Sequence, residues 1–238
     1  MKISIVIPTY NDLFALKQNT PVLLEYIQHS EYVWELILVD DGSSERKSTE
    51  TFAQTNGFKF IALEKNLGKG ASVRKGISKA TGDFIIYTDA DIPFECSAID
   101  KVLHYLIEKE FDVVIGDRGL IDSNYFNQIA PKRKFGSGIF TFFVGRFVTT
   151  GFSDTQCGLK GFKSSVAVKL CQKAKINGFA FDVELLYLAL KWNLDIKKIP
   201  VTLRSADGNS VNLWKHGPQM VLDLFRVKWF HLKGLYHE

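Results

Sequence analysis

Residues 83–92 read DFIIYTDADI, an apolar run that ends at two aspartates one residue apart. Phe84 to Tyr87 are β-formers without a polar break, the composition of a strand covered on both faces. Asp89 and Asp91 follow its C-terminal end, the edge where open α/β sheets place their ligands. In an extended Asp-x-Asp, residues i and i+2 project to one side and offer two hard oxygen donors at one point. Such a pair suits Mg²⁺ or Mn²⁺, with phosphate oxygens and water completing the shell. Aspartates after a strand also cap helices or form Asx turns, and the motif alone leaves both readings open.

Outward from this strand the chain alternates. Apolar runs predict strands near 3–7, 35–39, 58–62, 83–88 and 111–115, with amphipathic helices near 12–29, 46–55, 69–80 and 95–109 between them. This order predicts an α/β fold with a mostly parallel, doubly wound sheet and right-handed crossovers. Pro21 falls inside the first helix, where a kink or restart is expected. Beyond Gly116 the alternation fails: 117–138 is polar and loop-like, and 139–150 is apolar and aromatic. A helix near 182–192, a strand near 195–201 and a helix near 214–232 complete the chain. With no linker or repeat, residues 1–238 are expected to form a single domain, 1–116 as a nucleotide-binding half and 117–238 as the half for a second substrate.

At 238 residues the chain has ample length for a core, and 46% hydrophobic with 24% charged residues indicates a folded protein rather than a disordered one. Cys96, Cys157 and Cys171 show neither CxxC spacing nor an even count, which argues against zinc or a disulfide framework and for a reducing compartment. No signal peptide precedes the first strand, and no uncharged apolar run is long enough to span a bilayer. The formal charge of +4 is too small to imply a nucleic acid partner.

Three further loops follow predicted strands: Pro8-Thr9-Tyr10-Asn11, Asp40-Asp41-Gly42-Ser43 and Asn66-Leu67-Gly68-Lys69-Gly70. With the Asp89/Asp91 loop they line one sheet edge. Asp40 or Asp41 can accept hydrogen bonds from a base or ribose, and Lys69 and Arg74 can neutralise phosphate near a helix N-terminus. Each loop taken singly is also an ordinary turn. There is no GxxxxGK[ST], and Gly68-x-Gly70 lacks the third glycine of the dinucleotide fingerprint.

Together IVIPTYN (5–11), LVDDGS (38–43), NLGKGASVRKG (66–76) and TDAD (88–91) resemble the family 2 inverting glycosyltransferases with the GT-A fold. GDRGL (116–120), KRK (132–134), DTQCGLKGF (154–162) and GFAFDVELLYLA (178–189) are similar to the dolichyl-phosphate glucosyltransferase and dolichyl-phosphate mannose synthase group. The resemblance covers nearly the whole chain and implies inverting transfer of a hexose, glucose or mannose, from a nucleotide sugar to a polyprenyl phosphate. It favours a UDP-hexose over a GDP-hexose and implies Mg²⁺ or Mn²⁺ as cofactor. Carried over by position, Pro8, Thr9, Tyr10, Asn11, Asp40 and Asp41 hold the base and ribose, and Lys69, Arg74, Asp89 and Ala90 lie along the diphosphate. Asp89 and Asp91 hold the metal. Asp89, Asp91 and Arg118 are the expected catalytic set. Arg118, Arg133 and Ser137 hold the acceptor phosphate, with Asp154, Gln156, Asp182 and Glu184 near the sugar. The chain departs from the family in Ser44-Glu45, where Ser-x-Asp is usual, and in TDADIPF, which puts Pro93 where a polar ligand is common.

Several of these residues have plainer readings. Arg118 could pair with Asp117 or Asp122 on the surface, Lys132 to Lys134 could be a solvated run, and Asp182 with Glu184 could complement a helix dipole. Ile139 to Val144, after the basic cluster, reads as an interfacial helix or a core helix, and the C-terminal helix mixes Trp214, Phe225, Trp229 and Phe230 with Arg226, Lys228 and Lys233. A lipid acceptor implies peripheral association with the cytoplasmic face of a membrane. A homo-oligomer stays open, as do a family 2 enzyme with a soluble or cell-wall acceptor and a non-catalytic nucleotide-sugar-binding protein.

Overall fold

The computed structural model describes residues 1–123, 152, 154–204 and 213–236, the side chains of 213–216 excepted. Strand β1 (Lys2–Thr9) pairs in parallel with β2 (Val33–Asp40) on one side and β4 (Phe84–Thr88) on the other. Strand β3 (Lys59–Ala62) extends the sheet beyond β2. Past β4 lie β6 (Leu159–Lys163), β5 (Val113–Asp117) and β7 (Ile196–Pro200), giving the order β3-β2-β1-β4-β6-β5-β7. Only β6 runs antiparallel to its neighbours among these strands. The chain winds outward from β1 to β3 and returns to β4 beside β1, so the strand order reverses between β1 and β4. That reversal opens a crevice at their C-terminal ends.

Alternation along each strand splits the core into two layers. Ile3, Ile5, Ile7, Leu36, Leu38 and Ile86 face α1 (Leu13–Gln28), α2 (Arg46–Thr55) and α4 (Ser97–Ile107). Val6, Ile37, Val39, Ile85 and Tyr87 face α3 (Lys69–Ile77), α5 (Ser164–Lys173) and α6 (Phe181–Lys191). The last helix, α7 (Leu213–Leu232), packs Val227 into this second layer and Met220 and Leu224 against Val183. Both faces are covered, which is why the parallel strands read as continuous apolar runs.

The expected elements are present within a few residues. The restart at Pro21 is not: α1 is one helix through it. Strand β6 and helix α5 escape the sequence pattern, because Lys160 and Gly161 interrupt the apolar run that marks the other strands.

Candidate active site

The loops after β1, β2 and β4 meet at the crevice, and hydrogen bonds between them fix their shape. Asp41 accepts from the backbone N–H groups of Leu67 and Gly68, both at 2.8 Å, so the β2 loop shapes the loop that carries Lys69. Asn11, at φ 49°, donates its backbone N–H to Ser43 Oγ at 2.8 Å and accepts from the Ser44 N–H at 2.8 Å. Asp41 and Asn11 therefore bind their own chain. Asp40 keeps a vacancy: Oδ2 accepts from the Ser43 N–H at 3.2 Å, while the buried Oδ1 has no hydrogen-bond partner among the described residues. Thr9 Oγ1 is buried and unpartnered in the same way. Buried polar atoms left unpaired cost stability, so two side by side at the ends of β1 and β2 mark a place for ligand groups. Pro8 is buried in β1, and Tyr10 is half exposed at the rim.

Asp89 and Asp91 are not extended as expected. The Ile92 N–H donates to the Asp89 carbonyl at 3.1 Å, closing a turn, and Ile92 adopts φ 38°. A β-branched residue at positive φ is strained. It is held by burial and by residues 202–204: the Arg204 N–H donates to the Pro93 carbonyl at 2.9 Å, and Arg204 Nε to the Ile92 carbonyl at 3.3 Å. Arg204 was not singled out by sequence reading. Ala90, at the turn, is buried. Asp91 Oδ1 is buried without a hydrogen-bond partner among the described residues, and burial, then the charges of Asp89 and Asp12, push the Asp91 carboxyl up to about 7. A dication beside the pair relieves that repulsion and satisfies the orphaned oxygen, so these residues fit a metal. No cluster of three or more metal-ligating side chains occurs among the described residues, which leaves the rest of a coordination shell to donor oxygens and water.

Behind Asp89 lies a buried ionic network. Lys69 Nζ is 2.8 Å from Asp89 Oδ1 and 3.4 Å from Asp182 Oδ2. Lys160 Nζ reaches Asp182 Oδ1 at 2.7 Å and also donates to the Cys157 carbonyl at 2.8 Å, and Tyr87 donates its hydroxyl to the same Asp182 oxygen. Lys160, Asp182 and Tyr87 are almost wholly buried. Burial raises the Asp182 carboxyl, but Lys160, Lys69 and the Tyr87 hydroxyl outweigh it and hold the group below the usual carboxylate range. Burial lowers the Lys69 ammonium, and Asp182 and Asp89 reverse that, leaving it raised. Antiparallel β6 makes this possible, since Tyr87 and Lys160 stand opposite one another across β4 and β6.

The 154–158 loop joins this network to Arg118. A Cβ on Gly158 would overlap Asp89 Oδ2, far inside the 3.0 Å that real Cβ atoms keep, so only glycine lets the loop close on the aspartate. Asp154 takes Arg118 in a two-pronged pair, Nε to Oδ2 at 2.5 Å and Nη2 to Oδ1 at 2.7 Å. Burial raises the Asp154 carboxyl and Arg118 more than offsets it, holding the group below its ordinary range. Asp154, which the sequence reading did not pair with Arg118, is thus one of its ion-pair partners. Gln156 donates through Nε2 to the Phe179 carbonyl at 3.3 Å.

Glu184, expected near the sugar, and Arg74, expected along the diphosphate, both bond to their own chain. Glu184 accepts from the Lys175 and Ile176 N–H groups, both at 2.8 Å, and from the Tyr236 hydroxyl at 2.5 Å. Arg74 donates to the Ile176 carbonyl at 2.5 Å and to Asn177, and stacks on Phe181 at 5.4 Å. Arg74 holds the 174–177 turn against α3, and Glu184 holds it against α6. Gly70 packs there too, its missing Cβ leaving room for Phe181 Cβ and the Ile176 carbonyl. Arg133, Ser137, the 132–134 cluster and the 139–150 segment lie outside the described residues.

A family model described as glycosyl transferase family 2 matches residues 4–170. The chain belongs to glycosyl transferase family 2. Among family relatives, a dolichyl-phosphate beta-glucosyltransferase of Dictyostelium discoideum is 28% identical over 252 residues, 98% of this chain and 76% of that protein. A dolichyl-phosphate beta-glucosyltransferase of Homo sapiens is 28% identical over 248 residues, again 98% of this chain and 76% of that protein. Of solved structures, mannosyl-3-phosphoglycerate synthase from Rubrobacter xylanophilus aligns with a TM-score of 0.72 at 16% identity, over 100% of this chain and 76% of that one. Glucosyl-3-phosphoglycerate synthase from Mycobacterium tuberculosis, crystallised with Mn²⁺, UDP and glucosyl-3-phosphoglycerate, gives 0.67 at 15%, over 95% and 78%. At that identity the likeness is one of fold, the GT-A fold of family 2. Within the family 2 frame, what the loop motifs left unread is the support behind them: Lys160, Gly158 and Arg204. Their signals were a lysine inside a strand, a glycine after Cys157 and an arginine near the C-terminal helix, none of which points to a site by itself.

Proposed function

We propose that the chain transfers glucose from UDP-glucose to a polyprenyl phosphate, with inversion, giving a lipid-linked β-glucosyl phosphate. The observation that carries this reading is the 154–158 loop, which closes on Asp89 through Gly158 and holds Arg118 through Asp154. One segment thus ties the donor edge to the cation expected to meet an acceptor anion. The likeness to dolichyl-phosphate beta-glucosyltransferases over 98% of the chain supports the same reaction.

In this reading the unpartnered Asp40 Oδ1 and Thr9 Oγ1 accept hydrogen bonds from the nucleoside, with Pro8 and Tyr10 beside it. Mg²⁺ or Mn²⁺ on Asp89 and Asp91 supplies neutralisation of the departing diphosphate. Lys69 adds fixed positive charge at the same edge. The acceptor phosphate is already an anion and needs placing rather than deprotonation. Arg118, aligned by Asp154, offsets its repulsion from the donor. Attack opposite the leaving group inverts the anomeric carbon. Residues 1–116 supply most donor contacts and 117–238 most acceptor contacts.

The reaction is assigned to a membrane surface. Among the described residues no helix is long and apolar enough to cross a bilayer. Helix α7 exposes Leu222, Phe225, Trp229 and Leu232 along one stripe, with exposed Lys228 and Lys233 beside it, a composition suited to headgroup depth. The test is incubation with a panel of UDP- and GDP-sugars, Mg²⁺ or Mn²⁺, and polyprenyl phosphate, with products identified by mass. A glucosyl lipid formed only from UDP-glucose is expected. Transfer to a water-soluble acceptor with no lipid product overturns the assignment.

A further inference from the structure

The donor edge already holds a cation, the ammonium of Lys69. It sits on Asp89 Oδ1 at 2.8 Å and lies 3.4 Å from Asp182 Oδ2. The other Asp89 oxygen faces Gly158. A metal ion that ligates Asp89 through Oδ1 meets Lys69 there, and two cations on one carboxylate oxygen repel. Expelling the ammonium altogether would strip the buried Asp182 Oδ2 of its cation, which also costs stability.

Asp182 is built to receive it. Its Oδ1 is taken by Lys160 at 2.7 Å and by the Tyr87 hydroxyl, which fixes the carboxylate's orientation. Oδ2 is left with Lys69 as its recorded partner. Lys160 is anchored in turn by the Cys157 carbonyl at 2.8 Å, one residue before Gly158. The carboxylate thus cannot rotate toward Asp89, and the short movement belongs to the flexible lysine.

We propose that Asp182 is the second seat of Lys69: a divalent cation arriving at Asp89 and Asp91 moves the ammonium from Asp89 onto Asp182, where it stays beside the donor diphosphate. Asp182 and Lys160 are then positioning residues for cation binding and touch neither substrate. Sharing between two seats lowers the cost of freeing Asp89, so the metal meets a nearly released ligand.

This inference rests on the reading that a divalent cation sits on Asp89 and Asp91. The experiment measures Mn²⁺ dissociation constants, without nucleotide, by electron paramagnetic resonance and calorimetry for wild type, Asp91→Asn, Asp182→Asn, Lys69→Met and the Lys69→Met/Asp182→Asn pair. In Asp182→Asn the ammonium has only Asp89, and Mn²⁺ binding is expected to weaken about tenfold. With Lys69 already Met, the same Asp182 change is expected to have less than a twofold effect. If Asp182→Asn weakens Mn²⁺ equally with and without Lys69, Asp182 acts only as a nearby charge and the two-seat arrangement is wrong. Wild type that binds no Mn²⁺, or binding indifferent to Asp91→Asn, overturns the metal reading instead.

Should Asp182→Asn not fold, nitrogen-15 spectra of the wild-type lysine ammonium groups with added Mg²⁺ decide the point. Lys69 is expected to shift with Mg²⁺ and to stay slow in exchange with water. A Lys69 signal unmoved by saturating Mg²⁺, or lost to solvent exchange, overturns the proposal.

Discussion

Gly158 lies directly against Asp89: the space a Cβ would need is already filled by the aspartate's Oδ2. Gly158→Ala must push either the 154–158 loop or Asp89 aside, and displacements near an ångström cost roughly 100-fold in rate when reacting groups are aligned. We expect kcat/KM to fall by about that factor while the circular dichroism spectrum and melting temperature stay close to wild type. Unchanged turnover would mean that Asp89 can move without consequence.

Asp91 sets a pH dependence with a definite sign. Its folded carboxyl lies at about 7, raised first by burial and then by Asp89 and Asp12. The native state therefore holds this proton where the unfolded chain has released it, and the metal-free protein loses stability from this group as pH rises from about 4 to about 7. Asp91→Asn removes the term. Without divalent cations the variant should melt above wild type at pH 8, by roughly 2–4 °C for each kcal/mol gained, and the gap should shrink toward pH 5. Mn²⁺ should reverse the order, because wild type alone offers the second carboxylate. A gap that does not change with pH would remove Asp91 as its source.

Arg118 and Asp154 act as a unit. Arg118→Ala should raise the KM for polyprenyl phosphate at least tenfold, with a much smaller change in the KM for UDP-glucose, since it deletes a contact to the incoming anion. Asp154→Asn loosens the same guanidinium, so the double variant should be little worse than either single change. A rise in the donor KM instead would move Arg118 to the diphosphate.

Glu184 is expected to serve stability, since it is bonded to its own chain. Glu184→Ala leaves the part-buried Lys175 N–H and the buried Ile176 N–H without their acceptor, and we expect a loss of about 1–3 kcal/mol in urea unfolding. Tyr236→Phe should cost about 1 kcal/mol by removing one hydrogen bond to the same carboxylate. Activity per folded molecule should stay near wild type in both. A large kcat defect in folded Glu184→Ala would return the residue to the sugar pocket.

The legible part of this molecule was the part held together by apolar alternation. The strands around Ile5, Ile37 and Ile86 and the helices around Leu16 and Val102 announce themselves through side chains that must be buried. Asp40, Lys69, Asp89 and Asp91 were visible because polar residues at strand ends have a short list of uses. Lys160 was not, because a lysine in the middle of a strand is sensible only once Asp182, 22 positions later, is known to share its pocket. The turn at Asp89–Ile92 was misread as extended for the same reason, since residues 202–204 that hold it come from the far end of the chain. Asp154, 36 positions from Arg118, was likewise out of reach of local reasoning.

The placement of β6 has a consequence for how the chain is made. Strand β4 emerges early in synthesis, yet its outer edge is completed only by residues 159–163, and β5 depends on the same strand. Until β6 arrives, β4 presents an apolar edge with open backbone groups, the kind that pairs with other chains. A nascent chain stopped near Gly116 therefore carries most donor-loop residues on an unfinished sheet, exposed to aggregation. The late insertion that brings Lys160 and Gly158 beneath Asp89 also seals that edge, so the donor aspartate gains its backing in the same step that makes the protein safe to release.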